Sequence, residues 1–245
     1  MLIDTHAHLN FEAFSLDWKN TIERCLSRNI WIINVGSKYE TSRKAVEIAE
    51  NYESGVFAAI GLHPIHAQKG IDEEAYKKLA GSKKVVAIGE IGLDYFRDYG
   101  GFKKEQREVF LTQIELAVQL NLPIIFHCRK AFEDLIKVIK NNHCPPGVVH
   151  CFTGTWKQAQ EFLEMGFFLG INGIIYKLNM EEVIKKTSLD RLLLETDCPY
   201  LGVGEGRNEP VFVRQIAKDV ARIKNVSFEE VAQTTTQNAQ KLFNI

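Results

Sequence analysis

The chain has 245 residues, 45% of them apolar and 25% charged, the usage of a soluble globular protein, which excludes a disordered, collagen-like or coiled-coil chain. Thirty basic against 31 acidic side chains leave a formal net charge of −1, so bulk charge gives no sign of a nucleic-acid partner, although bound metal ions and a local patch can still hold phosphates. No stretch approaches the ~20 apolar residues of a membrane span, the N-terminus MLIDTHAHLN lacks the basic and apolar regions of a signal peptide, and five cysteines without a CxxC pair point to a reducing cytoplasm.

Short apolar runs alternate with amphipathic stretches. The first strand is expected over 2–5, then a helix over 16–29 with Trp18, Ile22, Cys25 and Leu26 at helical spacing. IWIINV at 30–35, closed by Gly36, has the continuous apolar character of a strand covered on both faces. The alternation continues with helix 41–52, strand 56–60, a weak helix over 72–80 and strand 85–88. A long helix over 104–120 carries Val109, Ile114, Ala117 and Val118 on one face. Strand 123–126, helix 132–140, strand 147–149, helix 157–164, strand 167–171, helix 181–186, strand 191–194 and helix 211–223 come next. Ser227 and Glu230 suggest a capping box for a last helix running through Leu242. Strands that are each followed by a helix demand a parallel sheet, because every return trip is a helical crossover. The eight units read here fit a closed (β/α)₈ TIM barrel of α/β class with a C-terminal helix. An open doubly wound sheet shares the local signals but usually has about five or six strands. No linker or composition shift divides the chain, so one domain is expected over 1–245.

Barrels place their chemistry where strands end. After strand one comes His6-Ala7-His8; after strand three, His63; after strand four, Glu90 and then Asp94; after strand five, His127; after strand six, His150; after strand eight, Asp197. Five of the seven histidines occupy this rim, and His66 and His143 do not. Residues i and i+2 of a strand point the same way, so His6 and His8 can reach one ion. Alone, an HxH pair is more often two hydrogen-bonded histidines; its company here points to metal. His6, His8, Glu90, His127, His150 and Asp197 are too many N/O donors for one tetrahedral zinc and suit two divalent ions bridged by a carboxylate. Glu90 is the natural bridge, with His6, His8 and Asp197 on one ion and His127 and His150 on the other. Cys128, Cys151 and Cys198 each come directly after a ligand, so alternation aims them at the helices as small core residues.

IDTHAHL at 3–9, GLHP at 61–64, GEIGLDY at 89–95, PIIFHCR at 123–129, VVHCFTG at 148–154, LLLETDCPYL at 192–201 and RNEP at 207–210 occur in this order, and on them the chain resembles the TatD family of metal-dependent deoxyribonucleases over its whole length. The resemblance implies a two-metal site on the same six residues. It also implies hydrolysis of DNA phosphodiester bonds by a cytoplasmic exonuclease acting on single strands or 3′ ends. Mg²⁺ is the expected ion, with Zn²⁺, Mn²⁺ or Ni²⁺ as other divalent occupants, and no obligate protein partner is implied. Glu90 and Asp197 are read as catalytic, Asp197 binding metal and accepting the proton of the attacking water. His63, Arg129 and Arg207 are read as substrate contacts, although Arg129 also has Glu133 and Asp134 nearby as ion-pair partners. Glu209 is read as orienting a ligand or fixing Arg207, and Tyr95, Phe96 and Tyr99 as stacking on bases or simply packing. Two features depart from the family pattern: GVGEGRNEP is less basic than its counterparts, and His66 is displaced. Two other readings stand beside the nuclease. One is a hydrolase of small amides, lactones or phosphate esters; many amidohydrolases bridge their metals with a carboxylated lysine where this chain has Glu90. The other is a metal-bound scaffold without activity.

Overall fold

The computed structural model describes residues 1–202 and 206–245, with the backbone alone at 98–100. Among these residues the strands are β1 (Leu2–Ala7), β2 (Ile30–Val35), β3 (Val56–Ile60), β4 (Val85–Asp94), β5 (Ile124–Arg129), β6 (Gly147–Val149), β7 (Phe168–Ile171) and β8 (Leu192–Leu194). Each pairs in parallel with the next. The connecting helices are α1 (Trp18–Leu26), α2 (Tyr39–Glu50), α3 (Glu73–Leu79), α4 (Lys103–Leu120), α5 (Phe132–Lys140), α6 (Trp156–Glu164) and α7 (Glu181–Lys186). Two more, α8 (Val213–Lys224) and α9 (Phe228–Phe243), come after β8.

The ring closes just beyond β8. Ala7 bridges Cys198 in parallel, the His8 N–H donates to the Cys198 carbonyl at 2.9 Å, and the Asp197 N–H donates to the His6 carbonyl at 2.8 Å. Deeper in the seam, the buried Asp4 carboxylate accepts from the Thr196 N–H at 2.8 Å and the Thr196 hydroxyl at 2.6 Å. This is the TIM barrel expected from the alternating pattern, closed at the seam by side chains as much as by ladder bonds.

Strand residues sort into two apolar layers. Ile3, Ile33, Val35, Ile125, Val148 and Leu193 fill the barrel interior, while Ile32, Ala58, Phe126 and Val149 face the helices. Ala239, Leu242 and Phe243 of α9 join the interior layer. The Thr236 hydroxyl donates to the Met1 carbonyl at 3.2 Å, and the Asn238 amide donates to the Leu189 and Leu192 carbonyls at 2.9 Å. The last helix therefore floors the end of the barrel where strands begin. Burying Leu242 and Phe243 there contributes about 1.5–3 kcal/mol each. Ser227 caps α9 by accepting from the Glu230 N–H at 3.0 Å, which is one half of the expected box.

Candidate metal centre and substrate face

The opposite end of the barrel gathers the chemistry. A register shift between Asp4 and Ala7 interrupts β1. Its effect is visible in parity: Ile3 lies in the interior layer and Ala7, four residues on, in the outer one. A bulge of this kind re-aims the side chains beyond it, and here His6 and His8 turn into the barrel mouth. β4 supplies Glu90, β5 supplies His127, and His150 and Asp197 lie just past β6 and β8. Asp197 and Cys151 sit at φ of 56° and 43°, left-handed values that non-glycine residues adopt at a cost. Such strain concentrates where function needs a particular aim.

Glu90 stands at the centre. Its Oε1 is 2.5 Å from His127 Nδ1, 2.8 Å from His150 Nε2 and 3.4 Å from His63 Nε2, and its Oε2 is 3.5 Å from His6 Nε2. On the other side, His8 Nε2 lies 3.3 Å from Asp197 Oδ1 and 3.2 Å from His6 Nε2. His8 Nδ1 is 2.8 Å from the Val35 carbonyl. A proton on Nδ1 donated to that carbonyl leaves Nε2 with its lone pair aimed at the site.

Three overlapping donor sets result, each with its ligand atoms within 4.8 Å of one another: His6, His8 and Asp197; His6, Glu90 and His150; and His63, Glu90 and His127. The first is the grouping read from the sequence. His127 and His150, expected on the second ion, fall in different sets but meet the same atom, Glu90 Oε1, with ring centroids 5.7 Å apart. His63, read as a substrate contact, lies at the same centre: its imidazole packs against His127 and faces Glu90.

The donor chemistry fits divalent cations. Glu90, Asp94, Glu195 and Asp197 converge, and among the described residues their ion pairs run to imidazoles, with no lysine or arginine to balance them. The donors are all nitrogen and oxygen, which suits hard or borderline cations. Burial alone would push the Glu90 carboxyl up, but the imidazoles of His150, His63 and His127 outweigh it and hold the group well below the usual range. Asp197 is likewise lowered against burial, chiefly by His8 and His150. Burial pushes His63 down to about 4, so it is neutral at pH 7; its Nδ1 accepts from the Ile65 N–H at 3.2 Å, which leaves the proton on Nε2, facing Glu90. Burial and the neighbouring His150 lower His6 as well.

Two carboxylates stand behind the donors. Asp94 Oδ2 is 3.2 Å from His127 Nε2. Glu195, which the motif reading passed over, is fully buried: its Oε1 accepts from the Cys151 N–H at 2.7 Å and the Asn172 amide at 2.9 Å, and lies 3.4 Å from His150 Nδ1. Gly170 of β7 makes the room, since a Cβ there would lie 2.5 Å from Glu195 Oε2. The available signal was position: Glu195 is two residues before Asp197, on the same strand end.

Arg207 requires a correction. Its guanidinium is bidentate to Asp17, at 2.8 and 2.6 Å, and reaches Glu209 at 3.1 Å, while Glu209 also takes Arg24 at 2.8 Å. The donors read as a substrate contact are spent tying the loop after β8 to the loop after β1, and Glu209 fixes Arg207, one of the two roles read for it. Val203, Gly204 and Glu205 of the acidic segment lie outside the described residues, as does the Tyr99 side chain. Arg129 is exposed and stacks on Phe96 with Cζ 3.8 Å from the ring centroid. The alternative read for it, an ion pair with Glu133 or Asp134, does not form among the described residues; Asp134 accepts from the Tyr95 hydroxyl at 2.9 Å. Cys128 and Cys198 are buried in the outer layer as expected, and Cys151 is half-buried with Sγ 3.6 Å from Asn172 Oδ1. Two aromatics escaped the sequence reading: Phe11 stacks on His8 at 4.3 Å, and Tyr200, 55% exposed, stands edge-on to it at 6.3 Å.

Comparison with known proteins agrees with this geometry. The family model for TatD-related DNases matches residues 3–244. The chain is 43% identical over 256 residues to the metal-dependent hydrolase YabD of Bacillus subtilis, covering all of both proteins. It is 33% identical over 260 residues to the 3′-5′ ssDNA/RNA exonuclease TatD of Erwinia tasmaniensis, again covering all of both. Among solved structures, the TatD homologue YjjV of Escherichia coli superposes with a TM-score of 0.92 at 32% identity, over 100% of this chain and 98% of that one. A chain that carries this donor cluster on this barrel, and matches the family model from end to end, belongs to the TatD-related DNase family of metal-dependent hydrolases.

Proposed function

We propose that the protein hydrolyses phosphodiester bonds in DNA, removing nucleotides from the 3′ ends of single strands with the help of two divalent cations. The observation that carries this reading is Glu90, whose carboxylate belongs to two of the three donor sets and so joins the two halves of the centre. His6, His8 and Asp197 would hold one cation, and His127 and His150 the other, with Glu90 shared between them. Divalent cations in such a site lower the pKa of water toward ~7 and neutralise charge on phosphoryl oxygens.

The chain's own groups do the rest. Asp197, held ionised by His8 and His150, accepts the proton of the attacking water. Asp94 and Glu195 keep the His127 and His150 rings in place, as carboxylates behind ligating histidines commonly do. Arg129 presents its planar N–H fork to a phosphate, a pairing that favours two parallel bonds. Phosphate oxygens enter an acidic pocket here, so without cations Glu90 and Asp197 oppose the scissile phosphate at the centre itself. The relative named as a 3′-5′ ssDNA/RNA exonuclease supports the polarity. The odd cysteine count supports a reducing cytoplasm as the place of action. Magnesium is the working ion in this proposal.

The test is digestion of a 5′-labelled single-stranded oligonucleotide. The wild type should give a ladder shortening from the 3′ end in Mg²⁺ and none in excess chelator. Glu90→Gln should lose at least ~10³-fold in rate, the scale of removing a major electrostatic element. Full activity in Glu90→Gln, or no cleavage by the wild type with any divalent ion, would overturn the reading.

A further inference from the structure

The tops of β4 and β5 carry a surface that runs outward from Arg129, away from the hydrolytic centre. Arg97, Lys103, Arg129 and Lys130 are all exposed there. Each arginine lies over the Phe96 ring, Arg129 Cζ at 3.8 Å and Arg97 Cζ at 4.9 Å from its centroid. Lys103 Nζ lies 4.2 Å from the centroid of Tyr95. Beside them opens a cavity of about 460 Å³, lined by Tyr95, Lys103, Lys130 and Phe132 with Glu133 and Asp134 as its acids. Asp134 is engaged by the Tyr95 hydroxyl. In a chain of net charge −1, this is a local surplus of positive charge interleaved with rings.

Two backbone facts show that the surface is built rather than incidental. Arg97 and Lys130 both sit in the left-handed region, at φ of 54° and 56°, where a side chain other than glycine is uncommon. Phe96 is tied to the metal centre through one side chain: its N–H donates to Asp94 Oδ1 at 2.9 Å, while Asp94 Oδ2 faces His127 at 3.2 Å. The ledge and the centre are therefore continuous, with a single carboxylate between them.

We infer that this ledge is the track for the part of a single-stranded DNA lying 5′ of the bond being cut, with its phosphates on Arg97, Lys103, Arg129 and Lys130 and its bases stacked along the Phe96–Arg129 plane. The inference rests on the nuclease reading above and adds where the uncut strand runs. A guanidinium held flat on an aromatic ring keeps its N–H edge for phosphate and its outer face for a base. Unpaired bases offer such faces and a duplex does not, so the ledge selects single strands.

The experiment reads binding without turnover. Fluorescence anisotropy of a labelled oligothymidylate about a dozen nucleotides long, within the usual range of single-strand site sizes, is measured against metal-free protein in chelator, across a salt series. The double variant Lys103→Gln/Lys130→Gln should bind more weakly, and the slope of log K against log salt should fall by about 1.4, at ~0.7 per single-strand phosphate contact. Phe96→Ala should weaken binding about tenfold, the scale of one lost base stack, and leave the slope unchanged. A duplex of the same length should bind more weakly than the single strand. Unchanged affinity and slope in both variants, or no binding by the wild type, would overturn the ledge. The two variants lie on different elements, and thermal melts separate lost binding from lost folding. A protein that binds as expected but never cleaves with any divalent ion would sink the nuclease reading and leave the ledge standing.

Discussion

Glu195 Oε1 faces His150 Nδ1 at 3.4 Å much as Asp94 Oδ2 faces His127 Nε2 at 3.2 Å. Removing the Glu195 charge should therefore loosen the centre. Glu195→Gln is expected to lower Mn²⁺ affinity in calorimetric titration, or the rate at saturating metal, by about 10–100-fold. A variant with wild-type affinity and rate would show that the carboxylate only fills space. Gly170→Ala should behave similarly, because its Cβ would displace the same carboxylate. The six expected donors were legible because each lies at the end of an apolar run, where period and position both mark it. Glu195 was not, because its environment is made by Gly170, Asn172 and Cys151, which are remote in sequence. His63 was legible in place, but its contact with Glu90 was not, since only the folded chain brings its imidazole there. Arg207 misled for a related reason: its partner Asp17 lies 190 positions away.

Between elements, the Arg207–Asp17 pair joins the loop after β1 to the loop after β8, on the same side of the ring as the seam. The Asp17 side chain is 35% exposed, so solvent screening limits what the pair contributes. Its hydrogen bonds to Arg207 hold the Asp17 carboxyl below its usual range. A depressed carboxylate stabilises the fold above its unfolded pKa of ~3.9, and that stability is lost as pH falls through the lower folded value. Asp17→Asn should thus reduce Tm by up to about 2–4 °C near pH 6–7, for a loss below ~1 kcal/mol. The difference should vanish at the acid end of a Tm-against-pH series; a constant difference would mean that charge is not involved. Element limits were legible to within a few residues except for β4, expected over 85–88 and observed as Val85–Asp94. Gly89 suggested a stop, yet the strand runs through it and through Gly92, because β5 approaches so closely that a Cβ on Gly92 would lie 2.1 Å from the His127 carbonyl oxygen. The glycines permit contact there rather than ending the strand.

For the whole molecule, the two apolar layers complete the fold without metal, while the acidic centre gains from it. Chelator should therefore leave the far-ultraviolet circular dichroism unchanged and lower Tm. At a free cation concentration about 100 times Kd, linkage contributes about 2.7 kcal/mol, or roughly 5–10 °C for a chain of this size. A Tm indifferent to chelator would argue against resident cations. The barrel as a class was legible because eight strand-helix repeats admit few other architectures. Its closure was expected on the same count, but the contacts that seal it were not legible, since the Asp4–Thr196 contact and the α9 floor depend on meetings between the two ends of the chain. That floor has a consequence for biosynthesis. When β8 leaves the ribosome, α9 is still unmade or inside the exit tunnel, so the nascent barrel has its interior open at the end where its strands begin. Native assembly must then wait until the final helix has emerged, and a message truncated before that helix codes for a product that chaperones and proteases will meet unsealed.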